Sequence, residues 1–121
     1  MGGDAMRVAG FGMNSRATVE SLRAALDAAG PAEALAALPA HAALVAELAR
    51  ALGLPLIPVA SVAGIATPTQ SPRSLAAHHT GSVAEAVALA AAGPGARLLA
   101  PRATSADRCA TCAIAQTGTH A

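Results

Sequence analysis

The sequence predicts a single three-layer α/β/α domain, in which helices cover both faces of a mixed sheet of about four to five strands. Its 121 residues suit one domain, and short apolar stretches alternate with helical patterns along most of them. Hydrophobic residues make up 54% of the chain and aromatic residues only 1%, so the core should consist of small aliphatic side chains. We expect this one domain over residues 1–121, with a core at about 6–116 and a disordered tail at 117–121.

The first strand and helix are predicted from an apolar run followed by a cap. Met6–Gly12 is a short apolar segment that ends in glycines, as a buried strand would. Thr18 is a suitable N-cap, because its hydroxyl can accept a free backbone N–H. Apolar residues then recur at helical spacing from Leu22 to Ala29, and Gly30-Pro31 ends the helix.

A second helix and strand follow. Ala34–Leu38 is compatible with helix by its alanines and with a short strand by its place in the order. Ala42–Leu52 has a helical apolar pattern, with Gly53 at the position after its end. Leu54–Val59 predicts a strand, and its two prolines favour a short strand or an edge position.

The next segment predicts short helical pieces and one longer helix. Ser61–Gly64 is expected to form a single helical turn, and Thr67–Arg73 is a polar loop. Ser71-Pro72 predicts the start of a short helix that runs to about His78. Ser82–Glu85 matches a capping box before an alanine-rich helix, which Gly93–Gly95 ends.

The last part predicts an antiparallel β-hairpin at one end of the sheet. Arg97–Ala100 and Ala110–Ala115 are the two predicted strands, and Arg102–Arg108 is the polar loop between them.

Composition excludes several functions. The net charge is +1, and Phe11 is the one aromatic residue, so neither a basic field nor a stacking platform for nucleic acid is expected. All eight basic residues are arginines, which excludes lysine-based Schiff-base chemistry and a P-loop lysine. Met1–Arg7 lacks the apolar region of a secretory leader, and Val83–Ala92 is too short to span a bilayer. We therefore expect a cytoplasmic protein that binds no nucleic acid and no membrane.

Neither a cofactor nor a metal ion is expected. Cys109 and Cys112 resemble half of a zinc site, but no second pair accompanies them. His78-His79 with His41 would be a cobalt or acid–base alternative, although adjacent histidines on a helix point in different directions. Gly10-x-Gly12 lacks the third glycine of a dinucleotide loop, since Ser15 stands in its place.

Three blocks of the sequence together resemble the CobE / CbiG C-terminal-domain family. The blocks are GFG with the following NSR at 10–16, TPTQSPR to GSVAEA at 67–86, and LLAPR with TCAIA at 98–115. The junction LA-x-x-LGLPL at 48–56 is similar to the family as well. One departure is that family members usually carry a lysine where His41 is the nearest polar residue here, which puts any role of that lysine in doubt.

The resemblance implies a role in the synthesis of cobalamin. CobE-like proteins stand alone in the aerobic pathway. The related region of the anaerobic pathway is the C-terminal part of CbiG-type proteins, which open a lactone ring on a corrinoid. We assign that chemistry to the other part of such proteins. A chain with this domain alone is therefore expected to bind, deliver or protect a corrinoid.

A corrin precursor carries many carboxylates, which arginines and helix N-termini can bind. Within the family-like blocks, the residues expected to bind the ligand are Gly12, Asn14, Arg16, Thr69, Gln70, Ser71, Arg73, Gly81, Ser82 and Arg102. Each also has a plainer interpretation, because serines at helix starts are ordinary caps and loop arginines are commonly just solvated.

Three functions remain open at this stage. The first is a binding or delivery protein whose partner is a precorrin or corrinoid intermediate. The second is an enzyme, such as a hydrolase or rearrangement catalyst, although no triad or carboxylate pair stands out. The third is a docking partner of a pathway methyltransferase.

Overall fold

The computed structural model describes residues 6–60, 62, 82–93, 95–100 and 102–118. Within them the chain forms strands and helices in the alternating order expected of an α/β domain. The strands are β1 Arg7–Met13, β2 Ala34–Ala37, β3 Leu56–Pro58, β4 Arg97–Leu98, β5 Ala103–Thr104 and β6 Ala110–Gln116. The helices are α1 Val19–Ala29, α2 Ala42–Leu52 and α3 Val83–Ala92, and a short 3-10 turn, Pro39–His41, precedes α2.

These strands form one mixed sheet in the order β3-β2-β1-β6-β4, with β5 also paired to β6. Strand β1 is central: it runs parallel to β2 and antiparallel to β6. Strands β4 and β5 both pair antiparallel with β6, which confirms the predicted C-terminal hairpin. The described sheet has six strands rather than about four to five, because Ala103–Thr104, expected in a loop, adds a two-residue strand.

The segment with two possible interpretations, Ala34–Leu38, is a strand over Ala34–Ala37. All four residues of β2 are buried, since the strand lies inside the sheet between β1 and β3. Its small alanine side chains fill the narrow space between the sheet and the layers that cover it. Strand β3 is short and lies at the edge of the sheet, as its prolines predict.

Of the three helices in the described part, two cover one face of the sheet and the third covers the other. Helices α1 and α2 pack against the sheet through Leu22, Val45 and Leu48, which meet Phe11 and Leu35 in one core cluster.

Helix α3 packs on the opposite face, where Val83 and Val87 meet Val8 and Ala36 in a second cluster. This arrangement is the predicted three-layer α/β/α fold.

The backbone of β1 approaches α3 closely at Gly10. A Cβ added to Gly10 would overlap the backbone oxygen of Ala84 and the backbone nitrogen of Ala88, and would lie 2.8 Å from Ala88 Cα. Because these are main-chain atoms of a helix, they cannot move aside as a flexible side chain could. The absence of a side chain at Gly10 therefore sets the distance between α3 and the sheet.

The chain termini of the described domain are also tied together. The backbone N–H of Met6 donates to Thr117 Oγ1 (2.8 Å), and the N–H of Thr117 donates to the carbonyl of Met6 (2.9 Å). The described part thus includes Thr117 and Gly118, the first two residues of the expected tail, while residues 119–121 lie outside it.

Several other predictions concern residues outside the described part. They are the helical turn at Ser61–Gly64, apart from buried Val62, the loop at Thr67–Arg73 and the helix from Ser71 to His78. Among the helices that are described, none combines the length and the apolar character needed to cross a membrane.

Replacing Gly10 by alanine should destabilise the protein by more than about 2 kcal/mol, because the added methyl group overlaps helix backbone. Gly53→Ala is the matched control: Gly53 has a left-handed φ of 71° but nothing within 4 Å of its missing Cβ. That change should cost about 1 kcal/mol through backbone strain alone. Urea unfolding followed by far-ultraviolet circular dichroism measures both, since the chain has no Trp or Tyr. Equal losses in the two variants would contradict the packing argument.

Candidate functional site

One edge of the sheet collects most of the described residues that the sequence singled out. Strands β1, β2 and β3 are parallel, so their carboxyl ends meet at this edge, which we call the carboxyl edge. Helices α1 and α2 begin there because each follows such a strand. Helix α3 also begins there, since Gly10 lies beside Ala84 and Ala88 while Gly12 lies beside Val83. In open α/β sheets, ligands bind outside this edge.

The connection from β1 to α1 carries Asn14 and Arg16. The backbone N–H of Asn14 donates to the carbonyl of Cys109 (2.9 Å), and its side-chain Oδ1 accepts the N–H of Arg16 (2.9 Å). The side-chain oxygen of Asn14 is thus used in shaping the turn, whereas Arg16 is exposed. Of these two, Arg16 is the residue whose side chain is presented to solvent.

Thr18 caps α1, as predicted, and it does so with Ser21. Thr18 Oγ1 accepts the N–H of Ser21 (3.2 Å), and Ser21 Oγ accepts the N–H of Thr18 (3.1 Å). The same Ser21 hydroxyl donates to Asp107 Oδ2 (2.6 Å), in the turn before β6. The first turn of α1 is therefore joined to the C-terminal hairpin.

Asp107 organises that turn through four hydrogen bonds described here. Its carboxylate accepts hydrogen bonds from the hydroxyls of Ser105 and Ser21 and from the backbone N–H of Cys109 (2.9 Å). Its backbone carbonyl accepts a hydrogen bond from the Cys109 thiol (3.5 Å). The bonds from Ser105, then Ser21, then the Cys109 N–H lower the pKa of Asp107 from its ordinary value of 3.8 to about 2. Neither Asp107 nor Ser21 was predicted as a site residue, because no short motif links positions so far apart.

Gly12 and Ser82 both lie beside the first turn of α3. Ser82 is fully buried, and its hydroxyl accepts the N–H of Glu85 (3.4 Å) as an N-cap. A Cβ on Gly12 would lie 3.3 Å from Val83 Cβ and 3.0 Å from Thr111 Oγ1. Gly12 therefore lets the end of β1 fit closely against the N-terminus of α3 and the neighbouring β6.

Glu85 has a different role from the predicted capping box. Its side chain is fully buried, and its Oε2 accepts the backbone N–H of Arg102 (2.9 Å). This bond holds Arg102, just before β5, against the first turn of α3. The contact could not be found from local spacing, because helix and strand come together only in the folded sheet.

The structure thus places the predicted residues in two groups. Gly12, Ser82 and Arg102 all lie beside the first turn of α3, and Asn14 and Arg16 lie in the adjacent β1–α1 connection. The remaining five predicted residues, Thr69, Gln70, Ser71, Arg73 and Gly81, lie outside the described part.

The cysteines do not share a site. Cys109 is half-buried before β6, whereas Cys112 is buried on β6 beneath α1 and α2, and this burial raises the pKa of its thiol. A search of the described residues finds no group of three or more His, Cys, Asp or Glu placed to hold a metal ion.

A groove of about 400 Å³ lies away from the carboxyl edge, between the ends of α1 and α2. Its lining is apolar apart from one acid, Asp27, and consists of Leu26, Asp27, Gly30, Pro31, Ala32, Leu52 and Leu54. No residue that the sequence predicts to bind the ligand lines this groove.

Replacing Asp107 by asparagine should lower stability near neutral pH and matter progressively less as the pH falls towards 2. The pKa of Asp107 is lowered to about 2 in the fold, below the value of about 3.9 for an unfolded chain. Its contribution is therefore complete above about pH 4 and is lost as Asp107 becomes protonated near pH 2. Urea unfolding of Asp107→Asn and wild type between pH 7 and pH 2 measures this difference. Asp27→Asn is the control variant, because it removes the same charge from an exposed position on α1. If the difference in unfolding free energy between Asp107→Asn and wild type did not change with pH, the role assigned to the carboxylate would be contradicted.

Comparisons with known proteins agree with this arrangement. The family described as "Cobalamin synthesis G C-terminus" matches residues 7–115, which is nearly the whole described domain. A search of curated protein sequences gave no match.

Two similar solved structures come from the same area of metabolism. One is a crystal structure of CobE, described as a protein from the cobalamin (vitamin B12) biosynthetic pathway. It has 26% identity and a TM-score of 0.78 over 100% of this chain and 96% of that chain. The other is the cobalamin biosynthesis protein chiG from Agrobacterium tumefaciens str. C58, with 37% identity and a TM-score of 0.68 over 92% of this chain and 98% of that chain. The family match and the shared fold together confirm the resemblance seen in the sequence: the chain belongs to the CobE / CbiG C-terminal-domain family of cobalamin-biosynthesis proteins.

Proposed function

We propose that this protein binds a polycarboxylated precorrin or corrinoid intermediate at the carboxyl edge and delivers it to other enzymes of the pathway. The observation that carries the proposal is that Gly12, Ser82 and Arg102, which are distant in sequence, are held together beside the first turn of α3. Family membership supplies the chemical class of the ligand. As part of the same proposal, binding takes place in the cytoplasm.

The chemistry of this edge suits a ligand with several carboxylates. The helix dipole at the starts of α1 and α3 favours negative charge nearby. Arg16 is exposed and Arg102 is half-buried, and each guanidinium can bind a carboxylate through two parallel hydrogen bonds. On sequence grounds, the proposal includes Asn14, Thr69, Gln70, Ser71, Arg73 and Gly81 as further ligand contacts.

Binding is favoured over catalysis by the state of two carboxylates near this edge. Glu85 is buried and accepts a backbone N–H, and Asp107 accepts bonds from two hydroxyls and a backbone N–H. A general base works best with a pKa near the operating pH, and the pKa of Asp107 is lowered to about 2. These carboxylates therefore support a structural role in the site.

An absorbance titration with a metal-free corrin polycarboxylate tests this proposal. A corrin absorbs visible light, which the polypeptide itself does not absorb, so a saturable spectral shift reports binding. Binding should weaken with added salt, and Arg102→Ala should lower affinity about tenfold through loss of a charge-assisted bond. Arg50→Ala is the matched control, because Arg50 is exposed in the last turn of α2, away from the carboxyl edge.

The methyl ester of the same corrin separates recognition of the carboxylates from contact with the macrocycle. Its affinity should be much lower than that of the free acid, and Arg102→Ala should then have little further effect. Equal binding of acid and ester would contradict the proposed role of the carboxylates. The absence of any saturable shift would overturn the binding function. If the spectrum of the corrin keeps changing with time when the protein is present in much smaller amount than the corrin, the result would favour an enzyme.

A further inference from the structure

A buried carboxylate in α3 has no role in the ligand contacts described so far. Glu85 is 0% exposed, and the other five residues from Val83 to Ala88 are buried as well. Placing a carboxylate in such surroundings is costly unless hydrogen bonds compensate, and an apolar side chain of similar size often packs there at no loss of stability. The presence of Glu85 in this position therefore calls for a specific purpose.

One bond of Glu85 joins two parts of the chain at the proposed site. Its Oε2 accepts the backbone N–H of Arg102 (2.9 Å), 17 positions further along the chain. The next residue, Ala103, pairs with Cys112 in the β5–β6 ladder. The main chain at Arg102 is thus restrained from two directions, by the helix and by the sheet.

We infer that Glu85 is a positioning residue, which fixes the main chain of Arg102 so that its guanidinium is presented to a carboxylate of the ligand. This inference rests on the proposed binding function and assigns it a residue that makes no ligand contact itself. A side chain that starts from a fixed Cα loses less conformational freedom when it binds, so the restraint raises affinity without adding a contact.

The main-chain character of the bond makes the inference testable by a double-mutant cycle. Arg102→Ala keeps the backbone N–H that Glu85 binds, so the effect of Glu85 on stability should be the same with or without the arginine side chain. Its effect on ligand affinity should depend on that side chain. A purely structural role would give the same change in affinity in both backgrounds.

In the experiment, Glu85→Met, Arg102→Ala and the double variant are titrated with the metal-free corrin polycarboxylate. Glu85→Met should lower affinity about two- to twelvefold when Arg102 is present. It should change affinity less than about twofold in the Arg102→Ala background. Glu85→Gln keeps an acceptor oxygen and should retain most of the affinity. The control cycle of Glu85→Met with Arg16→Ala should be additive, because Arg16 lies in a different connection.

The outcomes distinguish the role of Glu85 from the binding function itself. If the wild-type protein binds the corrin and Glu85→Met weakens binding equally in both backgrounds, or not at all, the inference is overturned and the binding function stands. If the wild-type protein does not bind, the binding function and the inference fail together. Should Glu85→Met not fold, Glu85→Asp provides a second cycle, since it keeps the charge but is one methylene too short to reach the Arg102 N–H.

Discussion

The close approach between β1 and α3 is the constraint on which the rest of this structure depends. At Gly10 the strand backbone is next to the helix backbone at Ala84 and Ala88, with no side chain between them. On this face the spacing between sheet and helix is set by glycine and alanine, whereas the one aromatic residue, Phe11, packs on the opposite face against α1 and α2. The same contact fixes where α3 begins, and so it places Ser82 and Glu85 at the carboxyl edge.

Helices on opposite faces of the sheet reach the C-terminal hairpin in a similar way. From one face, Ser21 in the first turn of α1 donates to Asp107. From the other, Glu85 in the first turn of α3 accepts the N–H of Arg102. Both bonds pair a carboxylate with a donor at the edge where the ligand is proposed to bind. These polar groups therefore hold the three layers in a fixed relation, and the proposed function assigns the ligand contacts to the arginines.

Local signals explain which parts of the fold could be predicted from the sequence. Helix α2 has the predicted bounds, Ala42–Leu52, because its apolar spacing is regular and Gly53 takes the left-handed conformation at its end. Strand β5 was missed, since two residues are too few to show an alternating pattern. The family-like blocks led to Gly12, Ser82 and Arg102, but the bond from Glu85 to Arg102 depends on the order of the strands. Sheet order arises from packing of the whole chain, which no short stretch encodes.

The position of β6 has a consequence for how the protein is made. A ribosome releases β1 first, but the strand that covers one whole side of β1 is the last strand of the domain. Until β6 emerges, β1 presents a row of unpaired N–H and C=O groups, which is the type of edge that joins other chains. Pairing β1 with β6 closes a loop that contains most of the chain. Such pairing is slow, because the conformational entropy of the loop must be lost before the ladder forms. The nascent chain therefore passes through a stage with an open, apolar half-sheet, and its yield in cells should depend on how well chaperones protect that stage.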